Sequence, residues 1–178
     1  MSAVLALVAL TGCGGPNTEA YAADYKICES QFSEIRTDMK AIDSQLDSGI
    51  SFREFEDKVN NLAEEHSAVN MAEVRASYDT LVAANPDAKR ENACIGVGED
   101  IETAYDAYSS AKSSWNDCIE DPYITDCNEN ETLDSELQDR WAEASTALDA
   151  ADETWVRMKA LAEGREPPTP SSAESEDA

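Results

Sequence analysis

The chain has 178 residues, a length that fits one domain with loose ends, and it carries 38 acidic against 13 basic side chains for a formal net charge of −25. So acidic a chain repels phosphate backbones, which excludes nucleic acid as a partner. Gly and Pro are few, at seven and six, and Ala, Glu, Asp, Ser and Leu dominate, which favours helix throughout.

The chain opens on an apolar run over residues 3–10, far shorter than the ~20 residues a spanning helix needs. It ends on Leu10-Thr11-Gly12-Cys13. The run is greasy enough to enter a translocon, Gly12 is small enough for a protease subsite, and Cys13 supplies a nucleophilic sulfur. This stretch resembles the lipobox of bacterial lipoproteins, although the twelve residues before Cys13 hold no Lys or Arg. The resemblance implies that residues 1–12 are a cleaved signal. Cys13 would then carry a diacylglycerol and fatty-acyl (palmitate-type) chains, and residues 13–18 would tether a domain to the outer face of the cytoplasmic membrane.

The first helical span places Tyr21, Tyr25, Cys28, Phe32, Ile35, Met39, Ile42 and Leu46 in unbroken steps of four and three, a heptad stripe. Gly49 suits the positive-φ position after a helix. Ser51 and Glu54 have capping-box spacing, with Ile50 and Phe55 at the staple positions, so a tight turn joins the first span to the second. The second stripe runs Phe52, Phe55, Val59, Leu62, His66, Val69, then shifts phase to Met71, Val74, Tyr78, Leu81. That shift predicts a kink or break near residues 66–72, and Asn85-Pro86-Asp87 ends the span. The third stripe is Cys94, Val97, Ile101, Ala104, Tyr108, Ala111, Trp115, Cys118; the fourth is Leu137, Trp141, Ala144, Leu148, Ala151, Trp155, Met158, Ala162. Four amphipathic spans of similar length predict an all-α, up-down antiparallel four-helix bundle over residues 19–163. Residues 164–178 are rich in Pro, Ser and acid and are expected as a disordered tail.

Besides Cys13 there are Cys28, Cys94, Cys118 and Cys127, an even number that reads as two disulfides in an exported chain. In an up-down bundle Cys28 and Cys118 lie at opposite ends, roughly 30 Å apart, whereas a disulfide needs Cα atoms within about 7 Å. The pairing is therefore Cys28–Cys94 and Cys118–Cys127. The first bond requires the break in the second span to take up length, and the first and third spans to approach across the core.

Residues 91–139 hold fourteen acidic side chains against one basic, Lys112. A solvated flank is the plain reading of such a run, and a face for cations or a basic partner is the functional one. Within it, Asp126, Asn128, Asn130 and Asp134 match positions 1, 3, 5 and 9 of a calcium loop, but Glu131 stands where that loop needs Gly and Leu137 where it needs a bidentate Glu. The single histidine, His66, lies on an apolar stripe and reads as a core or kink residue. Gly96 and Gly98 follow no strand, so they read as close packing beside Cys94 and not as a nucleotide loop. Trp115, Trp141 and Trp155 read as core.

No catalytic residue set emerges. The reading is a monomeric, lipid-anchored, extracytoplasmic, non-enzymatic module for surface interaction or envelope structure, with an unidentified protein partner and no cofactor beyond its lipid. The alternatives are a calcium-binding lipoprotein and a phage-type exclusion lipoprotein, whose gross layout is similar.

Overall fold

The computed structural model describes residues 17–46, 48–121, 127 and 131–169. Cys13, the lipobox, most of the tail, and Asp126, Asn128 and Asn130 of the calcium-like loop lie outside the described residues. The described chain is all-helical, with five α-helices: α1 (Thr18–Leu46), α2 (Phe52–Ala68), α3 (Met71–Ala84), α4 (Cys94–Glu120) and α5 (Glu131–Ala162). A 3₁₀ turn, Arg90–Asn92, precedes α4. None of the helices is long and apolar enough to cross a membrane.

The helix boundaries follow local chemistry. Gly49, at φ +87°, ends the turn after α1, where a side chain would be strained. Ser51 then caps α2: its hydroxyl accepts the Glu54 N–H at 3.4 Å while its own N–H donates to Glu54 Oε2 at 3.2 Å, the reciprocal arrangement expected from the sequence. The phase shift in the second stripe is a true break. α2 stops at Ala68, Val69 is extended, and Asn70, itself outside the helical region, caps α3 through Oδ1 by accepting the Glu73 N–H at 3.2 Å. α5 ends on Gly164 at φ +70°. There the Arg165 N–H reaches Ala160 O (2.8 Å) and the Gly164 N–H reaches Leu161 O (3.0 Å), a Schellman pair that satisfies two end carbonyls.

The four apolar stripes close on one buried cluster. Cys28, Phe32, Ile35, Met39 and Ile42 of α1 share it with Phe55, Val59 and Leu62 of α2, Val74 and Leu81 of α3, and the buried stripes of α4 and α5. α1 packs against α2, α3, α4 and α5, and α4 lies between α5 on one side and α2 and α3 on the other. The glycines of α4 serve close packing: a Cβ on Gly98 would lie 2.9 Å from Phe32 Cζ, and one on Gly96 would collide with the backbone oxygen of Arg90.

Two polar joints link the helices, one in the core and one at its edge. Asp24 is 1% exposed, yet its Oδ1 accepts the Ser77 hydroxyl at 2.6 Å and its Oδ2 the Cys94 N–H at 2.8 Å. Burial pushes its carboxyl above the ordinary range, and these two donors hold against that push. Asp152 of α5 pairs with Arg36 (2.5 Å) and with Lys40 of α1. Burial works against its charge, but the two cations outweigh burial and keep its carboxyl below the usual range. Arg36 also lies over the Trp155 ring, 4.7 Å from its centroid, and the indole N–H donates to the Tyr25 hydroxyl at 3.2 Å.

Candidate functional site

The sequence-predicted site residues fall into three groups. Cys118 and Cys127 are bonded, with Cα atoms 5.9 Å apart, as the pairing argument required. Cys28 and Cys94 are also brought together, but here they are two buried thiols in hydrogen-bonding contact, so the structure carries one of the two expected bonds. Burial, then the neighbouring Cys94 and Asp24, push the Cys28 thiol well above its ordinary range, which makes it a poor nucleophile. Of the calcium-like residues, only Asp134 is described, exposed in the second turn of α5. No metal-holding group of His, Cys, Asp and Glu occurs among the described residues.

The remaining motif residues have structural positions. His66 sits in the last turn of α2, stacked on Tyr105 with ring centroids 4.4 Å apart and planes 8° from parallel. Trp155 is buried. Trp115 and Trp141 are half-buried in an aromatic cluster with Phe52, Phe55 and Tyr108.

Two concavities are lined by described residues. The larger, about 250 Å³, lies between the end of α1 and the first half of α5 and is lined by Asp43, Leu46, Gln138, Trp141, Ala142 and Ser145. The Ser145 hydroxyl donates to Asp43 at 3.5 Å. Behind this wall two polar atoms are shut off without partners, the Tyr108 hydroxyl and the Trp141 indole nitrogen. Burial, with the Asp43 charge adding to it, pushes the Tyr108 hydroxyl upward, so it stays protonated. The cleft offers a carboxylate, an amide and a hydroxyl to a small polar solute.

The second concavity, about 170 Å³, lies where α1 meets α2 and is lined by Ser30, Gln31, Glu34, Ile35, Glu65, Ala68 and Val69. Gln31 braces the α2–α3 break beside it: its Oε1 accepts the Asn70 N–H at 2.8 Å and its Nε2 donates to Glu73 at 3.0 Å. Glu65 Oε2 is closed off with no donor, and the neighbour it meets is another carboxyl, Asp38, with Glu34 close by. Burial first, then those two acids, push the Glu65 carboxyl up to about 7. One proton must be shared for the pair to sit together.

Sequence reasoning missed Asp24 and the Asp38–Glu65 pair. The available signal for Asp24 was its place between Tyr21 and Cys28 on the apolar face of α1. No comparable signal marks Glu65, because its partner comes from another helix. In comparison with known proteins, the chain matches no family model, no curated protein and no solved structure.

The raised carboxyls fix the sign of the pH response. Glu65 (about 7) and Asp100, which burial raises to about 6 despite Arg157 beside it, hold more protons folded than unfolded. Their share of stability is therefore present below about pH 4.5 and is lost as pH rises through 6 and 7. The melting temperature is expected to fall from pH 5 to pH 8. Glu65→Gln, which offers Asp38 a donor at any pH, should flatten that fall and raise the pH 8 value. An unchanged slope in the variant would remove the shared proton from the account.

Proposed function

We propose that this chain is a lipid-anchored, extracytoplasmic helical module that works by binding and not by catalysis. The observation that carries the reading is Leu10-Thr11-Gly12-Cys13 at the end of the apolar run, a pattern whose chemistry leads to acylation of the Cys thiol. The architecture proposed is an antiparallel four-helix bundle in which α2 and α3 together form one arm. Its support is the order of contacts between α1 and α5, Tyr25 with Trp155, Arg36 with Asp152 and Asp43 with Ser145, in which numbers rise along one helix as they fall along the other.

The binding reading is supported by how the interior polar groups are used. Asp24, Arg36 and Asp152 are engaged in joining helices, and the exposed α4 flank, with Glu102, Asp106, Asp117 and Glu120, offers charge to a basic partner. Outside the cytoplasm, contact between Cys28 and Cys94 leads to a second disulfide. The partner is a protein, and the domain is a monomer.

Two measurements test this reading. Detergent-phase partitioning of the expressed protein should place wild type in the detergent phase and Cys13→Ser in the aqueous phase; equal partitioning would contradict the anchor. Alkylation of the denatured, unreduced protein should leave Cys28 and Cys94 unmodified and joined in one peptide. Modification of both would show that the pair persists as thiols.

A further inference from the structure

We propose that the domain stands on the bilayer, with the end that carries Asn17, Asn85 and Gly164 against the lipid headgroups and the long helix axes directed away from the membrane. The proposal rests on the lipid-anchor reading and adds an orientation to it. Its first support is the attachment point. Asn17 is fastened into the domain: its N–H donates to Asn85 Oδ1 at 2.6 Å, its side-chain oxygen accepts the Ala20 N–H at 3.3 Å, and its carbonyl accepts the Tyr21 N–H at 3.3 Å. Thr18 packs beside Gly164, at 3.4 Å from where a Cβ would lie. The start of α1, the turn after α3 and the end of α5 therefore meet at one end.

Only four peptide links separate Cys13 from Asn17, a reach of about 14 Å at full extension. A headgroup layer takes up roughly 5–8 Å of that. Less than about one Debye length of water can then lie between this end and the lipid, since that length is ~8 Å at physiological ionic strength.

A short tether alone would also permit the domain to lie flat, and charge decides against that. The exposed charged side chains are net acidic on every one of the five helices, and α4 exposes five acids and no base. Laying any flank on an anionic bilayer would bring those charges within a Debye length of it. At the tethered end the signs are closer to balance. Five exposed acids there, Glu19, Asp87, Glu91, Glu163 and Glu166, face four exposed bases, Lys89, Arg90, Lys159 and Arg165, and Lys89–Glu91 and Arg165–Glu163 pair directly. α5, with 32 residues, is about 48 Å long, so upright standing holds the far end several Debye lengths off.

The test uses the full-length lipidated protein, purified from membranes and reconstituted on vesicles of three parts phosphatidylcholine to one part phosphatidylglycerol that carry a headgroup acceptor dye. A donor dye is attached at Asp87→Cys, on the tethered end, or at Ser48→Cys, in the turn between α1 and α2; both positions are exposed. Energy transfer from position 87 should exceed that from position 48 several-fold. Equal transfer from both would mean that the domain lies flat, and stronger transfer from position 48 would invert it; either result overturns the proposal. Protein left in the supernatant after vesicle sedimentation would overturn the anchor itself and the orientation with it. That outcome is distinct from bound protein lying flat.

Discussion

A buried helix start needs something to receive its first N–H groups, and α4 has nothing local to offer. Its N-cap residue is Ala93, fully buried and without a capping side chain. The carboxyl of Asp24, seventy residues upstream, takes the Cys94 N–H in its place and takes the Ser77 hydroxyl at the same time. One side chain thereby ties α1, α3 and α4 together. A carboxylate there is also favoured by the positive end of the α4 dipole. Removing either donor or acceptor would leave a buried group unmatched, at about 1–3 kcal/mol for each. Beside this joint Cys94 meets the Cys28 thiol, and the 3₁₀ turn lies so tightly on α4 that a Cβ at position 96 would collide with the Arg90 backbone oxygen.

Much of the fold was legible in the sequence because it is written in short-range signals. The Ser51–Glu54 box, Gly49, the phase shift after Val69 and the Asn85-Pro86 stop each depend on residues within a few positions of one another, and each appears where the pattern put it. The heptad stripes identified the core nearly residue by residue. Cys118–Cys127 followed from length along a helix axis. The joints between helices were not legible, because their partners are far apart in sequence. Asp24 lies beside the stripe, between Tyr21 and Cys28, and nothing within α1 marks it as a partner of α4. The absence of Ser, Thr, Asp or Asn at position 93 was the complementary signal, and only the fold pairs the two. The Asp38–Glu65 contact is hidden for the same reason: both look like solvated acids on their own helices.

The polar residues divide by depth. Asp24 and Asp152 sit between helices and are matched by donors or cations, so they fix how the helices meet. Glu65, whose Oε2 is closed off without a donor, meets Asp38 at the α1–α2 surface, next to the α2–α3 break that Gln31 braces. Like charges strain that interface once the shared proton is lost, whereas the remaining exposed acids set a field that acts on everything outside the domain. Under the proposed lipid anchor, that field leaves a headgroup surface one end to meet, the end that carries Asn17.

The start of α4 depends on Asp24 as its cap. Native-state amide exchange at the Cys94 N–H, followed in wild type and in Asp24→Ala, tests it most directly. In wild type this amide should exchange only through global opening, although it lies at a helix start, where amides ordinarily exchange early. In Asp24→Ala its protection should collapse well below that of the α4 interior, with a loss of about 3 kcal/mol in global stability. Equal protection of Cys94 in the two proteins, with stability unchanged, would show that α4 is held by apolar packing alone and would contradict the account.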